Sequence, residues 1–208
     1  FEAPRVTDPS YPEFLLSLCL SNSIGMVVPT IDTELLMLSR IERDFAKHNI
    51  HVITCSSELV GLCRDKRKTV QLYEALDIDY PKIYSSDNIA YPAFCKPYDG
   101  SCSIGALKLS NSGDLSEEIV HNPKNMYTEF VDSDFQEYTC DAYFDFLSQL
   151  RCLVPRERME VRSGEVSKGV TRKNFVYDAL VDRIAHLKGA KGCVTFQVFG
   201  NSDTGKIK

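Results

Sequence analysis

The sequence has no apolar run long enough to span a membrane. Its densest, residues 14–20, is short and interrupted, well under the ~18 residues a spanning helix needs. It has no basic excess either: 24 lysines and arginines face 29 acids, a net charge of −5. A protein that coats nucleic acid is normally basic, so that class is disfavoured. No two cysteines are separated by two residues, which removes zinc ribbons and dithiol redox motifs. The histidines, His48, His51, His121 and His186, show no ligand spacing and read as ordinary surface or core residues. No Ser-His-Asp or Cys-His arrangement is apparent, which argues against a covalent enzyme intermediate. Internal repeats and low-complexity tracts are missing as well.

What remains is a chain of 208 residues with 43% hydrophobic and 25% charged side chains. That balance is globular and excludes a disordered tail, a collagenous rod and a coiled coil. A chain this long buries roughly 70% of its unfolded surface and needs neither disulfides nor metal to fold. The eight cysteines, Cys19, Cys55, Cys63, Cys95, Cys102, Cys140, Cys152 and Cys193, are irregularly spaced, and several stand beside apolar neighbours. They read as reduced, mostly buried thiols of a cytoplasmic protein. The chain starts at Phe1 without an initiator Met or signal segment. It stops at Lys208, just after the turn-forming Asp203-Thr204-Gly205. The expectation is a piece of a longer polypeptide, short at both ends.

Periodicity divides the chain in two. Helical spacing at 11–20, 33–48, 58–63 and 66–76 alternates with short strands at 25–29 and 50–54. This is the rhythm of a parallel sheet with crossovers, and resembles the second half of a Rossmann-like unit. The strand at 25–29 is expected to be buried, and Leu35, Leu36, Leu38, Ile41 and Phe45 form the inward stripe of the second helix. From Pro81 onward strands dominate, at 82–84, 93–97, 104–109, 126–130, 136–146 and 149–161. Helices are expected near 115–120 and 175–187, and a last hairpin begins at Gly192. That second region is α+β with antiparallel sheets.

Four stretches could carry chemistry. In the first, a strand delivers Lys96, and a small-residue loop, Asp99-Gly100-Ser101-Cys102-Ser103-Ile104-Gly105, turns the chain. Small residues let backbone N–H groups close around phosphate oxygens, and a lysine adds a point charge, although many such loops are plain hairpins. In the second, alternation puts Glu137, Thr139, Asp141, Tyr143 and Asp145 on one strand face and Tyr138, Cys140, Ala142, Phe144 and Phe146 on the other. The third places Arg156, Arg158, Glu160 and Arg162 on one face. Three guanidiniums together repel unless carboxylates or an anion sit between them, so the face is either solvated or lines an anion cleft. Residues 151–173 hold seven basic and three acidic side chains, without the interleaved aromatics of a nucleic-acid platform. In the fourth, Gln197 interrupts an apolar strand. A buried glutamine must find partners, either backbone groups or a metal and phosphate.

In order, Asp65-Lys66, Lys96-Pro97-Tyr98-Asp99-Gly100-Ser101-Cys102-Ser103-Ile104-Gly105, Thr128-Glu129-Phe130-Val131 and Glu137-Tyr138-Thr139-Cys140-Asp141 resemble the ATP-grasp superfamily. The subgroup resembled is the one related to the carbamoyl-phosphate synthase large subunit. Val154-Pro155-Arg156-Glu157-Arg158, followed by Arg162-Ser163-Gly164-Glu165-Val166-Ser167-Lys168-Gly169, is the most characteristic stretch. The resemblance covers essentially the whole chain and implies a fold class of α/β plus α+β. A partial Rossmann-like pre-ATP-grasp domain over 1–63, to which Val28-Pro29-Thr30-Ile31-Asp32-Thr33-Glu34-Leu35 belongs, would precede an ATP-grasp domain over 64–208. The latter would have a small lobe at about 82–130 and a large lobe at about 131–208, short of its C-terminal part.

The resemblance also implies residue roles. Lys66 and Lys96 would reach ATP phosphates, and Asp99, Gly100, Ser101, Ser103 and Gly105 would close over them. Glu129, Phe130 and Val131 would hold adenine, chiefly by backbone, and Glu137 the ribose hydroxyls. Arg156, Arg158 and Arg162 would line the cleft where an acyl phosphate forms, and Gln197 would stand at the magnesium–phosphate site. The family's Glu-x-Asn magnesium pair belongs to a strand that would only begin at Lys206-Ile207-Lys208, so this stretch alone is expected to be inactive. Cys95 and Cys102 depart from an expected aliphatic and an expected small residue without implying a redox role. The implied cofactors are ATP and Mg2+, and the implied partners are a small-molecule carboxylate and an amine, with no nucleic acid and no membrane. The oligomeric state is open, a homodimer included. The implied activity is an ADP-forming carboxylate–amine ligase; the alternative is a regulatory or assembly module that binds ATP without turnover. Carbamoyl-phosphate synthesis itself is disfavoured, because one grasp unit would have to perform two phosphorylations.

Overall fold

Proline near the start and a leucine-rich stripe set the first helix, α1 (Tyr11–Ser21). Ser10 is its N-cap residue but makes no side-chain cap. Instead the Ser10 N–H and hydroxyl both donate to Asp8 Oδ1, at 2.9 and 2.7 Å, ordering the turn ahead of the helix. Helix α2 (Asp32–Ala46) carries Asp32 and Glu34 in its first turn, the sign its N-terminal dipole favours. The computed structural model describes residues 2–100, 103–162 and 165–208, so Ser101, Cys102, Ser163 and Gly164 lie outside the described residues.

The chain divides into two units. The first comprises Phe1–Gly61, Tyr143–Arg151 and His186–Val194. In it β1 (Met26–Val27) pairs in parallel with β2 (His51–Val52), with Met26 opposite His51 and Val27 opposite Val52. Cys19, Leu38, Phe45, Ile50 and Val52 form its buried core, with Leu15, Leu16, Val27, Met37 and Ile41 packed around them. One expectation fails here. Met26 is 52% exposed and Val28 58%, so the 25–29 segment is not a buried strand. Its only sheet neighbour among the described residues is β2.

The second unit comprises Leu62–Ala142, Cys152–Ala185 and Thr195–Lys208. Helix α3 (Ser57–Arg64) runs into it and is followed by α4 (Lys66–Ala75). A four-stranded sheet then forms from β3 (Ile83–Tyr84), β4 (Ala93–Pro97), β5 (Leu107–Leu109) and β6 (Asn125–Glu129) in the order β3-β6-β4-β5. All three of its pairings are antiparallel. Ala93, Cys95, Leu109 and Tyr127 make its core, under Leu115 and Ile119 from the connection that includes α5 (Glu117–His121). Cys95, fully buried, takes the place of an aliphatic side chain there.

The second sheet has five strands in the order β11-β10-β7-β8-β9. They are β7 (Gln136–Phe144), β8 (Leu150–Arg162), β9 (Glu165–Thr171), β10 (Gly192–Asn201) and β11 (Lys206–Ile207). Helix α6 (Phe175–Ile184) is capped by Asn174 and buries Val176, Leu180 and Ile184. The alternation expected along β7 holds for Tyr138, Cys140, Ala142 and Phe144, all buried. Phe146, beyond the strand, is 60% exposed. Strand β9 was not legible: its polar run has a central glycine, and its order comes from the antiparallel ladder with β8. No described helix is long and apolar enough to cross a membrane.

Of the seven described cysteines only Cys19, Cys95 and Cys140 are buried; Cys55 is intermediate and Cys63, Cys152 and Cys193 are exposed. The expectation of mostly buried thiols therefore fails. Apolar neighbours in sequence do not predict burial in a strand, because adjacent side chains point to opposite faces.

Candidate functional site

The site is built in the second unit from the start of α4, the end of β4 and one face of the five-stranded sheet. Asp65 caps α4, accepting from the Arg67 N–H at 3.0 Å, and its carboxylate also takes Arg67 Nε and Nη2 at 3.0 and 2.7 Å. The Arg67 guanidinium lies 3.6 Å from the Tyr98 ring centroid. The Lys66 N–H donates to the Tyr98 carbonyl at 3.0 Å, and Lys66 Nζ donates to the Gly100 carbonyl. The loop after β4 is thus tied to the helix that carries Lys66. Inside the loop, Ser103 and Gly105 have φ of 57° and 73°, and the Ala106 N–H donates to the Ser103 carbonyl at 3.2 Å. Gly105 fits both that conformation and the space: a Cβ there would stand 3.1 Å from Pro97 Cγ. Asp99 pairs with Lys124 at 2.7 Å.

Lys96 is half-buried at the end of β4. Burial chiefly, and then the Lys66 charge, push its ammonium below the ordinary lysine value, while Glu137 pulls it back. Two cations and a carboxylate therefore share one electrostatic neighbourhood. Glu137 on β7 is held between two strands: Arg158 Nη1 lies 3.2 Å from Glu137 Oε1, and Gln197 Nε2 donates to the same oxygen. Asp141, four residues on, repeats the pattern. Arg156 Nη2 meets Asp141 Oδ2 at 3.2 Å, and the Thr195 hydroxyl donates to Oδ1 at 3.2 Å. Each carboxylate of β7 lies between an arginine of β8 and a polar side chain of β10.

Lys66, Lys96, Glu137, Arg158 and Gln197 are brought together, with Arg156 in the adjacent rung. Gln197 is exposed rather than buried, because Phe196 and Val198 take the inward face of β10. Arg162 stands apart: the ladder is irregular between Arg158 and Val161, and Arg162 pairs with Glu160 at 2.7 Å with 76% of its side chain exposed. At the end of β6, the Glu129 N–H donates to the Lys82 carbonyl at 2.7 Å, and its Oε2 accepts from the Lys82 N–H at 3.2 Å. Glu129 Oε1 pairs with Lys208. Burial raises this carboxyl, but the Lys208 and Lys82 interactions outweigh it and hold the group below its usual value. Phe130 lies under Lys108, 4.2 Å from its ring centroid, and Val131 is half-buried. Ser101 is outside the described residues.

Sequence reasoning gave no individual role to Thr195 or Gly169. For Thr195 a signal existed, since period-two alternation puts it beside Gln197. A separate cavity of about 460 Å3 opens on the other face of the five-stranded sheet, lined in part by Tyr138, Glu157, Arg172, Asn174 and Phe175.

Residues 1–53 match the family model described as PylC-like, N-terminal domain. No curated protein matches the sequence. Solved structures do. The biotin carboxylase domain of Hydrogenobacter thermophilus 2-oxoglutarate carboxylase, in complex with MgADP, ADP and bicarbonate, superposes with a TM-score of 0.70 at 13% identity, over 98% of this chain and 51% of that one. An L-amino acid ligase from Bacillus licheniformis gives 0.73 at 12% identity, over 99% and 52%. An N5-carboxyaminoimidazole synthetase from Staphylococcus aureus, complexed with ADP, gives 0.70 at 14%, over 100% and 57%. The chain spans about half the length of these structures. At these identities the likeness is one of architecture, a mixed α/β chain with antiparallel sheets. Over the half of each that it spans, this chain has the fold those structures share, the architecture that the resemblance to ATP-grasp proteins implies.

Proposed function

We propose that the chain is the nucleotide-holding part of an ATP-dependent, ADP-forming ligase, with residues 1–63 as a partial pre-ATP-grasp domain and 64–208 as the grasp domain. The observation that carries this reading is that the loop after β4 is tied to the start of α4 through the Lys66 N–H and Nζ, which sets Lys66 beside the half-buried Lys96 at the mouth of a small-residue loop. The ADP complexes among the structural neighbours support it. In the proposed reaction a substrate carboxylate oxygen attacks the γ-phosphorus of ATP. The bond from that phosphorus to the β,γ-bridging oxygen breaks, and ADP leaves with the electron pair. An amine or similar nucleophile then attacks the acyl carbon and inorganic phosphate departs. Phosphoryl transfer asks the protein chiefly for positioning and charge neutralisation, which lysines and arginines supply.

In this reading Lys66 and Lys96 hold phosphate oxygens, with Asp99, Gly100, Ser101, Ser103 and Gly105 closing over them. Phe130 and Val131 offer backbone groups to adenine, since the Glu129 N–H is engaged by the Lys82 carbonyl. Glu137 takes the ribose hydroxyls, and Arg156, Arg158 and Arg162 line the acyl-phosphate cleft. Magnesium would arrive with the nucleotide, as in the MgADP complex among the structural neighbours, held by one or two carboxylates together with phosphate oxygens. Gln197, engaged with Glu137, would stand beside it, and the described residues contain no group of three or more His, Cys, Asp or Glu that could hold a metal without phosphates.

The test incubates the full-length protein with ATP, magnesium and pooled carboxylates and amines, then identifies the nucleotide product. Substrate-dependent ADP supports the ligase; AMP means adenylation and sinks the mechanism. A second reading, nucleotide binding without turnover, is favoured by one observation: Glu137 and Asp141 are both already neutralised by arginines. Tight ATP binding with no product in any pool would move the assignment there.

A further inference from the structure

We infer that Gly169 is a positioning residue for Arg156, and that Gly169, Asp141 and Thr195 together preset this guanidinium as an anion receptor. The inference rests on the ligase reading above and adds residues that reading does not use. In the β8–β9 ladder Arg156 is opposite Thr171 and Arg158 is opposite Gly169, so Arg156 and Gly169 are diagonal neighbours on one face. A Cβ on Gly169 would stand 3.0 Å from Arg156 Cγ and 3.3 Å from Cδ, and 3.1 Å from the Glu157 carbonyl oxygen beside them. The stem of Arg156 therefore lies across the bare backbone of Gly169. Glycine weakens a strand interior, and this one has no positive φ to require it. Its contribution is the slot.

Beyond the slot the guanidinium is held at its tip. Nη2 meets Asp141 Oδ2, and Thr195 fixes the other Asp141 oxygen. Arginine has five N–H donors, and a single contact of this kind leaves others for a second anion. The Arg156 side chain is 34% exposed, against 8% for Arg158. Of these two arginines, Arg156 is thus the one a ligand can reach. The anion class is a phosphate or an acyl phosphate, the species that form and leave in the proposed reaction. Asp141 is then a carboxylate that orients Arg156 and touches no reacting atom.

The test uses full-length protein and two probes, MgADP and inorganic phosphate, with phosphate titrated in the presence of saturating MgADP. Gly169→Ala is expected to weaken phosphate binding about 5-fold, and Arg156→Ala about 10-fold or more, while MgADP affinity stays unchanged in both. Unchanged MgADP binding also shows that each variant is folded. In the double variant, phosphate should bind no more weakly than in Arg156→Ala alone, because Gly169 acts only through that side chain. Additive losses would assign Gly169 a general structural role and overturn the inference. So would wild-type phosphate affinity in Gly169→Ala, or no phosphate binding to the wild-type MgADP complex. Failure of the wild-type protein to bind MgADP at all would instead overturn the nucleotide reading.

Discussion

Two groups of cations in the second unit are built on opposite plans. Burial chiefly, and then the charge of Lys66, make Lys96 costly to charge, and Glu137 offsets only part of that cost. Arg156 and Arg158 each meet a carboxylate of β7, and β10 braces both pairs. Like charges brought together in a folded protein carry a cost that a polyanionic ligand removes on binding. Opposite charges paired and braced hold their geometry without a ligand. The first group reads as where the nucleotide's charge is met; in the second, Arg158 is the enclosed brace and Arg156 is held in place with donors left for a second anion.

That contrast can be broken from either side, and the largest effect is expected on the paired side. The Arg158 side chain is only 8% exposed, so Arg158→Ala strands the Glu137 carboxylate against a nearly buried gap. Breaking one partner of such a pair costs about 3 kcal/mol, read as a lower midpoint in denaturant unfolding. An unfolding curve identical to wild type would show that the pair braces nothing. On the lysine side the sign reverses. Lys96→Met removes a desolvated charge, so the unfolding midpoint is expected to hold or rise. ATP affinity should nevertheless fall about 10- to 100-fold, the range of a lost charge-assisted contact. Lost stability together with unchanged ATP affinity would invert the comparison and remove Lys96 from the site.

The same contrast explains which parts of the molecule could be read in advance. The helices α1, α2, α4 and α6 and the faces of β7 follow from hydrophobic periodicity, which is local. Lys66 and Lys96 follow from the small-residue loop and from the resemblance it carries. The pairing of Glu137 with Gln197 and of Asp141 with Thr195 joins residues 60 and 54 positions apart, and period-two alternation says only which face each occupies. Strand β9 and the slot at Gly169 were invisible for a related reason: a polar, glycine-centred segment becomes a strand only once β8 offers it a ladder. The ladder irregularity after Arg158 had the opposite effect. Strict alternation puts Arg162 on the face of Arg156 and Arg158, but the register is irregular after Arg158, and Arg162 is exposed and paired with Glu160 of its own strand rather than with a carboxylate of β7.

A finer measurement follows from Lys96. Its folded ammonium titrates below the ordinary lysine value of 10.5, whereas the unfolded chain titrates near that value. Between the two values the unfolded state binds more protons, so unfolding free energy rises with pH across that window. The penalty is present at neutral pH and is relieved as pH climbs through the folded value. Lys96→Met should flatten this slope, and equal slopes in the two proteins over that window would show that Lys96 is not the group responsible.

The smallest effect separates three arginines of one strand. Arg158 is enclosed, Arg156 is partly open, and Arg162 is paired with Glu160 in solvent. An exposed pair gains little in water, because screening and side-chain entropy consume most of the attraction. Arg162→Ala is therefore expected to leave the unfolding midpoint unchanged, where Arg158→Ala lowers it, and thermal unfolding of the two variants side by side is the check. If Arg162→Ala destabilised the protein as much as Arg158→Ala, proximity along the strand rather than enclosure would govern the face. The division between a ligand-seeking cluster and a braced one would then lose its physical basis. If Arg162→Ala is silent in stability and also leaves MgADP and phosphate affinity intact, the anion cleft narrows to Arg156 and Arg158.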